Sequence, residues 1–453
     1  MVPPTSRRPV RAGRSGGQGT RAAGAEYSVP IEEHHLANGL RVVMSPDPQS
    51  AVIAVGVYYK VGFRLEPEGR TGFAHLFEHL MFQGSRRLPK MAHFQVVHDA
   101  GGVLNGFTRH DYTAYFEVLP ATALEAACYL EADRMAGLDL TEANLRNQVD
   151  VVEEEVRLNV LNQPYGGFSW LVLPQHAFTR FANAHNSYGE FRDLESATVA
   201  DAEAFFTTHY APGNATLVLV GGFDPAGALA AVDRHFGVIP KRRTPRAPDT
   251  TEQLPTRRLM VPHQDPMAPV PRLGVGYRMA PFGDPAHLPL TLAADILTDG
   301  RGSRLDERLV RGAGVLLDVA AGPNFPIGDA FDSGDPTLWV LEATRRPEVP
   351  TSRVLELLDA EVDRLGREGP SPDELLRAQR RWLAEHWAHM DSPRGRMDRL
   401  GTLTTVHGDP NLLNAIPGGI AAVTPEAVAR AVRTWLRRDR STVLDWIPGG
   451  PAA

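Results

Sequence analysis

A stretch rich in proline and arginine divides this sequence into two parts. Residues 240–258, PKRRTPRAPDTTEQLPTRR, contain four prolines, several basic residues and almost no apolar ones. Such a composition is typical of a linker between folded units. About two hundred residues remain on each side, which is enough for two folded lobes of similar size.

An internal repeat relates the two parts. The segment VGVYYK at residues 55–60 aligns with LGVGYR at 273–278, and the same offset places GSR at 84–86 on GSR at 302–304. Two matches in one register predict a duplicated lobe. Strand-like segments at 51–59, 107–119 and 214–222 mix with helical segments at 71–82, 121–137 and 143–161. Because strands and helices do not alternate strictly, we predict an α+β fold.

Composition excludes several classes of protein. The 453 residues are 43% hydrophobic and 22% charged, which is an ordinary globular mix. The net charge of −7 argues against a nucleic-acid binder. No apolar run approaches the roughly 18 residues of a membrane span. Cys128 is the only cysteine, so an intramolecular disulfide and a CxxC zinc site are excluded, and any metal must be held by His, Asp or Glu.

The N-terminus differs from the rest of the chain. Its first 25 residues carry five arginines and no acidic residue. This bias predicts a disordered basic arm, and the alternative interpretation is an organelle transit peptide. The apolar segment of a secretory signal is missing. We expect a bacterial cytoplasmic location in preference to an organelle matrix.

The segment HLFEH at residues 75–79 is the sharpest chemical motif. On a helix, His75 and His79 lie one turn apart on the same face. Two imidazoles so placed can bind one zinc ion at about 2.0–2.1 Å each. Glu78 lies close enough to reach a water on that ion. HxxEH is the inverted zinc-protease motif. The alternative is an ordinary helix with two satisfied histidines and a surface Glu.

The helical segment 143–161 offers the third ligand that zinc needs. Its apolar stripe comprises Leu145, Val149, Val152 and Val156, widened by Val151 and Leu158. At 100° per residue, Glu155 falls inside the widened stripe, Glu153 lies at its edge and Glu154 points away. A buried carboxylate is costly unless it is paired or bound to metal, which favours Glu155 as the ligand. Gln148 lies in the same arc and is a candidate to orient a ligand. The alternative is a solvated acidic run over 153–155.

With these motifs the chain resembles the pitrilysin/insulinase family of zinc peptidases, and most of all its smaller bacterial and mitochondrial-processing-type branch. The matching segments are GFAHLFEHLMFQG at 72–84, GGVLNGFT at 101–108, VVEEE at 151–155, NQPYG at 162–166, NATLVLVGGFDP at 214–225, GSRL at 302–305 and RLVR at 308–311. The resemblance covers residues 32–448.

The resemblance implies a clamshell of two similar lobes, each of two α/β sandwich subdomains, around a chamber. It implies one Zn²⁺ per chain held by His75, His79 and Glu155, with Glu78 as general base in peptide hydrolysis. Asn105 would bind the backbone of a peptide that extends the edge strand at 107–119. The alternative for Asn105-Gly106 is a plain turn.

One position departs from the family pattern. Active single-chain relatives carry an Arg and, six or seven residues later, a Tyr that together bind the substrate backbone. Arg311 matches the Arg, but Leu317 occupies the Tyr position. Some relatives are heterodimers, so the departure implies a zinc-bearing subunit whose paralogous partner supplies the Arg/Tyr pair. The alternative for Arg311 is a charge on a helix surface.

The second lobe is expected to hold no metal. In the repeat register the counterparts of His75, Glu78 and His79 are Ala293, Ile296 and Leu297, which are apolar. The histidines of HWAHM at 386–390 lie nearly one turn apart, but no third ligand is evident.

We therefore predict an arm at 1–26, a catalytic lobe at 27–239, a linker at 240–258, a second lobe at 259–449 and a tail at 450–453. The predicted function is a zinc endopeptidase acting on peptides or leader segments. The alternatives are a non-catalytic scaffold subunit of the same fold and a metal carrier.

Overall fold

The computed structural model describes residues 28–449. The predicted arm at 1–26 and the predicted tail at 450–453 lie outside the described residues. The strands are β1 Glu32–His35, β2 Arg41–Pro46, β3 Val52–Tyr59, β4 Val103–Thr108, β5 Thr113–Pro120, β6 Ala215–Gly221, β7 Leu259–Asp265, β8 Arg272–Arg278, β9 Leu316–Pro323, β10 Leu338–Arg345 and β11 Thr442–Pro448.

Helices surround these strands in both halves of the chain. They are α1 Phe73–Leu80, α2 Ala92–Asp99, α3 Leu124–Ala136, α4 Glu142–Val156, α5 Leu173–Ala177, α6 Phe181–Ala184, α7 Phe191–Glu195, α8 Val199–His209, α9 Pro225–Phe236, α10 His287–Thr298, α11 Thr351–Glu368, α12 Pro372–Met390, α13 Pro393–Thr402, α14 Leu412–Ala421 and α15 Pro425–Trp435.

The strands form two sheets with matching topology. The first has the order β1-β2-β6-β3-β5-β4 and the second β7-β11-β8-β10-β9. When β1 is left out, the orders correspond strand by strand, and the parallel pair β2–β6 has its counterpart in β7–β11. The α+β class and the two similar lobes are thereby confirmed. Within residues 28–449 each lobe contains one sheet, where the resemblance implied two α/β units per lobe.

The segment 107–119 is a hairpin and not one strand. The chain turns at residues 109–112, where the Arg109 amide donates to the Tyr112 carbonyl at 2.8 Å. β5 lies inside the sheet, between β3 and β4, so the segment contributes only β4 to an edge of the sheet, and β1 forms the opposite edge. The aromatic and β-branched composition of 107–119 suits both strands, and this hid the turn between them.

Each lobe packs a segment against one face of the other lobe's sheet. One face of the first sheet packs under its own helices α1, α3 and α4. Its other face, which includes Tyr58 and Val218, packs with Met397 and Leu400 of α13. In return, Phe168 and Leu173 of the first lobe pack with strands β10 and β11 of the second. The two lobes therefore share their cores.

The contact between α13 and the first sheet depends on a glycine. A Cβ atom added to Gly401 would lie 2.2 Å from ring atoms of Tyr58. Tyr58 is fully buried, and its hydroxyl donates to Asp398 at 3.0 Å, so the ring is held in place. The glycine at 401 is what allows this helix to approach the strand.

We expect Gly401→Ala to destabilise the protein by about 1–3 kcal/mol, because the methyl group overpacks a filled core. Thermal unfolding monitored by circular dichroism measures the loss. Gly418→Ala is the matched control, since it also lies in a helix and its Cβ would meet no atom within 4 Å. The control should be neutral or slightly more stable. Equal melting temperatures for both variants would contradict the tight contact.

No helix within residues 28–449 is by itself both long and apolar enough to cross a membrane, while α14 and α15 satisfy the length and composition requirements only as a pair bent by 102°.

Candidate metal centre

Helix α1 presents the predicted motif toward the inside of the first lobe. Its apolar residues Phe73, Leu76 and Phe77 are buried in the core beneath the first sheet, and this anchors the helix. His75 is 7% exposed, whereas His79 and Glu78 are partly exposed. The helical period thus places the imidazole of His75 in the interior of the lobe and that of His79, one turn later, at the edge of the buried region.

The structure brings His75, His79 and Glu155 together. Their ligand-type atoms all lie within 4.8 Å of one another. Nε2 of His75 is 3.6 Å from Oε1 of Glu155, and Nε2 of His79 is 3.3 Å from Oε2 of the same carboxylate. Tetrahedral ligands at about 2.0–2.2 Å from one ion are separated by roughly 3.4 Å, so these spacings fit zinc.

The chemistry of the three side chains also fits a cation. Burial, and then the neighbouring His79, lowers the pKa of His75 to about 4, so its ring is neutral and offers a lone pair. Hydrogen bonding to His79 lowers the pKa of Glu155, which keeps this carboxylate charged. Nδ1 of His75 is buried without a hydrogen-bond partner within residues 28–449. Two imidazoles and one carboxylate form a common donor set for catalytic zinc.

Glu78 is held by the edge strand β4. The hydroxyl of Thr108 donates to Oε2 of Glu78 at 2.7 Å. Burial raises the pKa of Glu78, while the bond from Thr108 lowers it. A Cβ atom added to Gly106 would lie 3.3 Å from Cγ of Glu78, so a glycine here lets the carboxylate side chain lie against the strand. Asn105 and Gly106 both lie within strand β4, so the alternative of a plain turn at these two residues is wrong.

The three glutamates of α4 do not have the burial that the apolar stripe predicted. Glu153 is the buried one, 7% exposed, and it pairs with Arg157 at 2.7 Å. Glu155 is only half-buried, and Glu154 is exposed. Val151 and Leu158, which were expected to widen the buried stripe, are 41% and 53% exposed. Glu155 thus lies beside the histidines at the rim of the stripe and not inside it.

The other predicted residues lie in different settings. Gln148 is buried and donates to Asn147 at 2.8 Å, and not to one of the three clustered side chains. Asn105 lies on the exposed edge strand, and its Oδ1 accepts from the Gly106 amide at 2.8 Å. Because side chains alternate along a strand, Asn105 faces away from the side on which Thr108 contacts Glu78.

Arg311 is held by its own segment. Its guanidinium donates to Asp306 at 2.7 Å and also to the carbonyl of Arg301. Leu317, at the position where the family pattern has Tyr, is 42% exposed on β9. The structure therefore places an engaged Arg and an apolar side chain where the family pattern has its Arg/Tyr pair.

Sequence reasoning missed two neighbours of the centre. Thr108 reaches Glu78 across thirty positions of chain. The ring of Tyr188 lies edge-on to His75 with centroids 5.0 Å apart, and it also contacts Trp170 at 5.3 Å. Neither contact follows from a periodic pattern, because each joins segments that meet only in the folded lobe.

A second group of ligand-type side chains lies deeper in the first lobe. His93, Glu117 and Glu131 are buried, and His93 contacts Glu117 at 2.7 Å. Arg134 forms an ion pair with Glu131 inside the same group. Because this guanidinium already supplies the positive charge, the group is a buried ion-pair network and not a metal centre.

Two models of one peptidase family match the chain. A family model described as Insulinase (Peptidase family M16) matches residues 41–165, and one described as Peptidase M16 inactive domain matches residues 196–381. The chain is 29% identical over 293 residues to the zinc protease PqqE of Helicobacter pylori, covering 63% of this chain and 64% of that protein.

Two further relatives are named as subunits. The chain is 26% identical over 283 residues to human mitochondrial cytochrome b-c1 complex subunit 1, covering 61% of this chain and 58% of that protein. It is 28% identical over 234 residues to bovine mitochondrial-processing peptidase subunit beta, covering 50% and 47%. The matches therefore span less than two thirds of the length of these relatives.

Solved structures share the fold. A protease from Helicobacter pylori superposes with a TM-score of 0.85 at 22% identity, covering 93% of this chain and 100% of that one. The periplasmic protease PqqL from Escherichia coli gives a TM-score of 0.75 at 18% identity, covering 95% of this chain and 50% of that one. One copy of the present fold thus corresponds to half of the longer PqqL chain.

Proposed function

Because this chain belongs to the M16, or insulinase, family of peptidases, we propose that it is a zinc-dependent endopeptidase that hydrolyses extended peptides or leader segments. The observation that carries the proposal is the meeting of His75, His79 and Glu155 beside a Glu78 held by Thr108. Together these side chains could hold one metal ion and supply one base.

In this proposal the residues around the metal centre have separate roles in peptide hydrolysis. Zinc, when bound, supplies a Lewis acid that polarises a carbonyl and lowers the pKa of water. Glu78 accepts the proton of the attacking water and then gives it to the leaving amine. Thr108 keeps the Glu78 carboxylate in position by donating to one of its oxygens. β4 offers an unpaired strand edge next to Glu78, along which a peptide can add as a further strand.

We further propose that the active assembly contains a paralogous partner. The fold corresponds to half of the PqqL chain, so a second chain of the same kind would complete an assembly of that length. Arg311 is engaged by Asp306, and Leu317 has no hydroxyl to donate. A partner that carries the Arg/Tyr pair would supply the missing donor, whereas a second copy of this chain would not.

Metal removal tests the peptidase proposal. We expect the zinc-loaded chain, mixed with a paralogue that carries the Arg/Tyr pair, to cleave an unstructured fluorogenic peptide. Dialysis against a zinc chelator should abolish cleavage, and added zinc should restore it. Cleavage by the metal-free protein at the rate of the loaded one would contradict the proposal.

The partner is tested in the same assay. The chain alone should be slower by about 10²–10³-fold, the usual effect of losing one donor to the developing oxyanion. The matched control is the paralogue with its Tyr changed to Phe, which should rescue little. Full turnover by the purified chain without a paralogue would contradict the heterodimer.

A non-catalytic scaffold of the same fold is the second candidate. The similarity to cytochrome b-c1 complex subunit 1 favours it. A scaffold has no chemical need for a carboxylate between two metal-binding histidines. If the scaffold is correct, no peptide is cleaved with or without the paralogue, and zinc makes no difference.

A further inference from the structure

The second lobe contains a cavity where its sheet edge meets two helices. The cavity has a volume of about 510 Å³ and lies between α10, the end of β9 and the last turns of α12. α10 and β9 are the counterparts of α1 and β4, and β9 is an edge strand of its sheet as β4 is of the first, so the cavity borders elements that correspond to those beside Glu78. Its chemistry is different, because α10 lines it with Thr291, Ala294 and Asp295, and none of these matches a zinc-binding residue in the repeat register. We name it the second-lobe cavity and define it by Asp295, Phe325, Phe331, Trp382, Glu385 and His386.

Asp295 faces this cavity without an ion pair of its own in the described part of the chain, although the charge of Arg381 acts on it and lowers its pKa. Within residues 28–449 its carboxyl group has no ion pair and no side-chain hydrogen bond, whereas Glu385 pairs with Arg381 at 3.0 Å. Burial, and then the charges of Asp299 and Glu385, raises the pKa of Asp295 to about 7. A carboxylate in such a setting is costly until a positive group joins it.

His386 adds an independent and unsatisfied group. It is 8% exposed, lines the cavity, and its Nε2 has no hydrogen-bond partner within residues 28–449. Its ring stacks on Trp382 with centroids 5.1 Å apart. Burial, and then Arg399, lowers its pKa to about 4, so the ring is neutral and one nitrogen carries a lone pair. A buried ring nitrogen without a protein partner is expected to meet a hydrogen-bonding group of water or of a ligand, and this one opens onto the cavity.

The walls of the cavity also suit a cation. Phe325, Phe331 and Trp382 line it, and aromatic faces attract ammonium and guanidinium groups. Arg399 is the one arginine or lysine among the lining residues, and it bonds to Asp329 at 2.6 Å. Its charge is therefore already neutralised, as that of Glu385 is by Arg381, and Asp295 is the lining carboxylate that lacks an ion pair within residues 28–449.

We propose that the second-lobe cavity binds a positively charged nitrogen group, a primary ammonium or a guanidinium, presented by a peptide. Asp295 supplies the main counter-charge, Glu385 lies beside it, His386 accepts a hydrogen bond, and the aromatic rings enclose the group. The peptide as the source of the cation rests on the proposed function, whereas the preference for a cation rests on the cavity alone. A cavity of this size is ample for an arginine or lysine side chain.

Calorimetric titration of the zinc-loaded Glu78→Gln protein tests the proposal, because this variant should bind peptides without cutting them. The probes are agmatine and a set of unstructured peptides that differ only at one arginine, which is replaced by citrulline, and at the N-terminus, which is free or acetylated. We expect agmatine and the arginine peptide to bind, and the acetylated citrulline peptide to bind at least about tenfold more weakly. Weakening by citrulline alone identifies a side chain as the source, and weakening by acetylation alone identifies the N-terminal amine. Equal binding of the acetylated arginine and acetylated citrulline peptides, with no effect of acetylation, would overturn the proposal.

Substitutions of the lining residues test whether the cation binds in the second-lobe cavity. Asp295→Asn should weaken agmatine and the arginine peptide at least about tenfold and leave the acetylated citrulline peptide unchanged. Glu385→Gln, at an exposed position where folding is not at risk, should weaken the same probes to a smaller extent. Glu203→Gln, an exposed position in the first lobe, is the control for net charge and should change nothing.

Unchanged agmatine binding by both Asp295→Asn and Glu385→Gln would overturn the cavity as the site. Failure of the peptidase proposal gives a different result. In that case no peptide is cleaved by the zinc-loaded wild type, while agmatine still binds and still depends on Asp295.

Discussion

The Glu78→Gln protein is expected to retain zinc and to cleave peptides roughly 10²–10⁴ times more slowly than the wild type. Gln keeps the size of the side chain and can still accept from Thr108, but it cannot take a proton from water. The ligand-type atoms of His75, His79 and Glu155 are left in place. Metal content by mass spectrometry and kcat/KM for a fluorogenic peptide together measure the effect, with the paralogue present.

Glu154→Gln is the matched control for this change. It replaces the same functional group on α4, where the side chain is exposed and lies one residue from the centre. The control should keep both zinc and wild-type turnover. Wild-type turnover by Glu78→Gln would remove Glu78 from its role as the base.

Glu155→Gln should lose zinc itself. Removing a side chain that only hydrogen-bonds to a metal ligand lowers metal affinity by about 10–100-fold. Removing the charge of the ligand itself should lower the affinity further. After dialysis against dilute chelator we expect the wild type and Glu154→Gln to keep one zinc per chain and Glu155→Gln to keep almost none. Cleavage should fall with zinc content.

Glu153→Gln separates metal binding from stability. Glu153 is buried and pairs with Arg157, so its loss should lower the melting temperature and leave zinc in place. A Glu155→Gln protein that keeps its zinc, or a Glu153→Gln protein that loses it, would contradict the placement of the third ligand.

Much of what could be predicted from the sequence depends on the spacing of residues within one helix or turn. The spacing of His75 and His79 follows from the helical repeat, and the structure presents both toward one carboxylate. The Asn38-Gly39 pair is a typical signal for a hairpin turn, and the structure has Gly39 at a φ of 96° between the paired strands β1 and β2. These features depend on residues close in sequence, where backbone geometry alone decides the outcome.

Burial around α4 could not be predicted in the same way. The stripe argument selected Glu155 because it was expected to be the buried acid, yet Glu153 is more buried. Helical angles describe which residues share a face, but the neighbours of that face decide how much of it is covered. Arg157 on the next turn provides the partner that makes a buried Glu153 tolerable. Thr108 and the second-lobe cavity likewise arise from segments that are distant in sequence.

The exchange of α13 for the segment around Phe168 has a consequence for how the chain is made. A ribosome delivers the first sheet long before it delivers Met397 and Leu400, which cover one face of that sheet. At about 5–20 residues per second, the delay is on the order of ten seconds. A nascent polypeptide that stops in the linker would expose Tyr58 and Val218 to water, so vectorial folding of the first lobe is completed only near the end of translation.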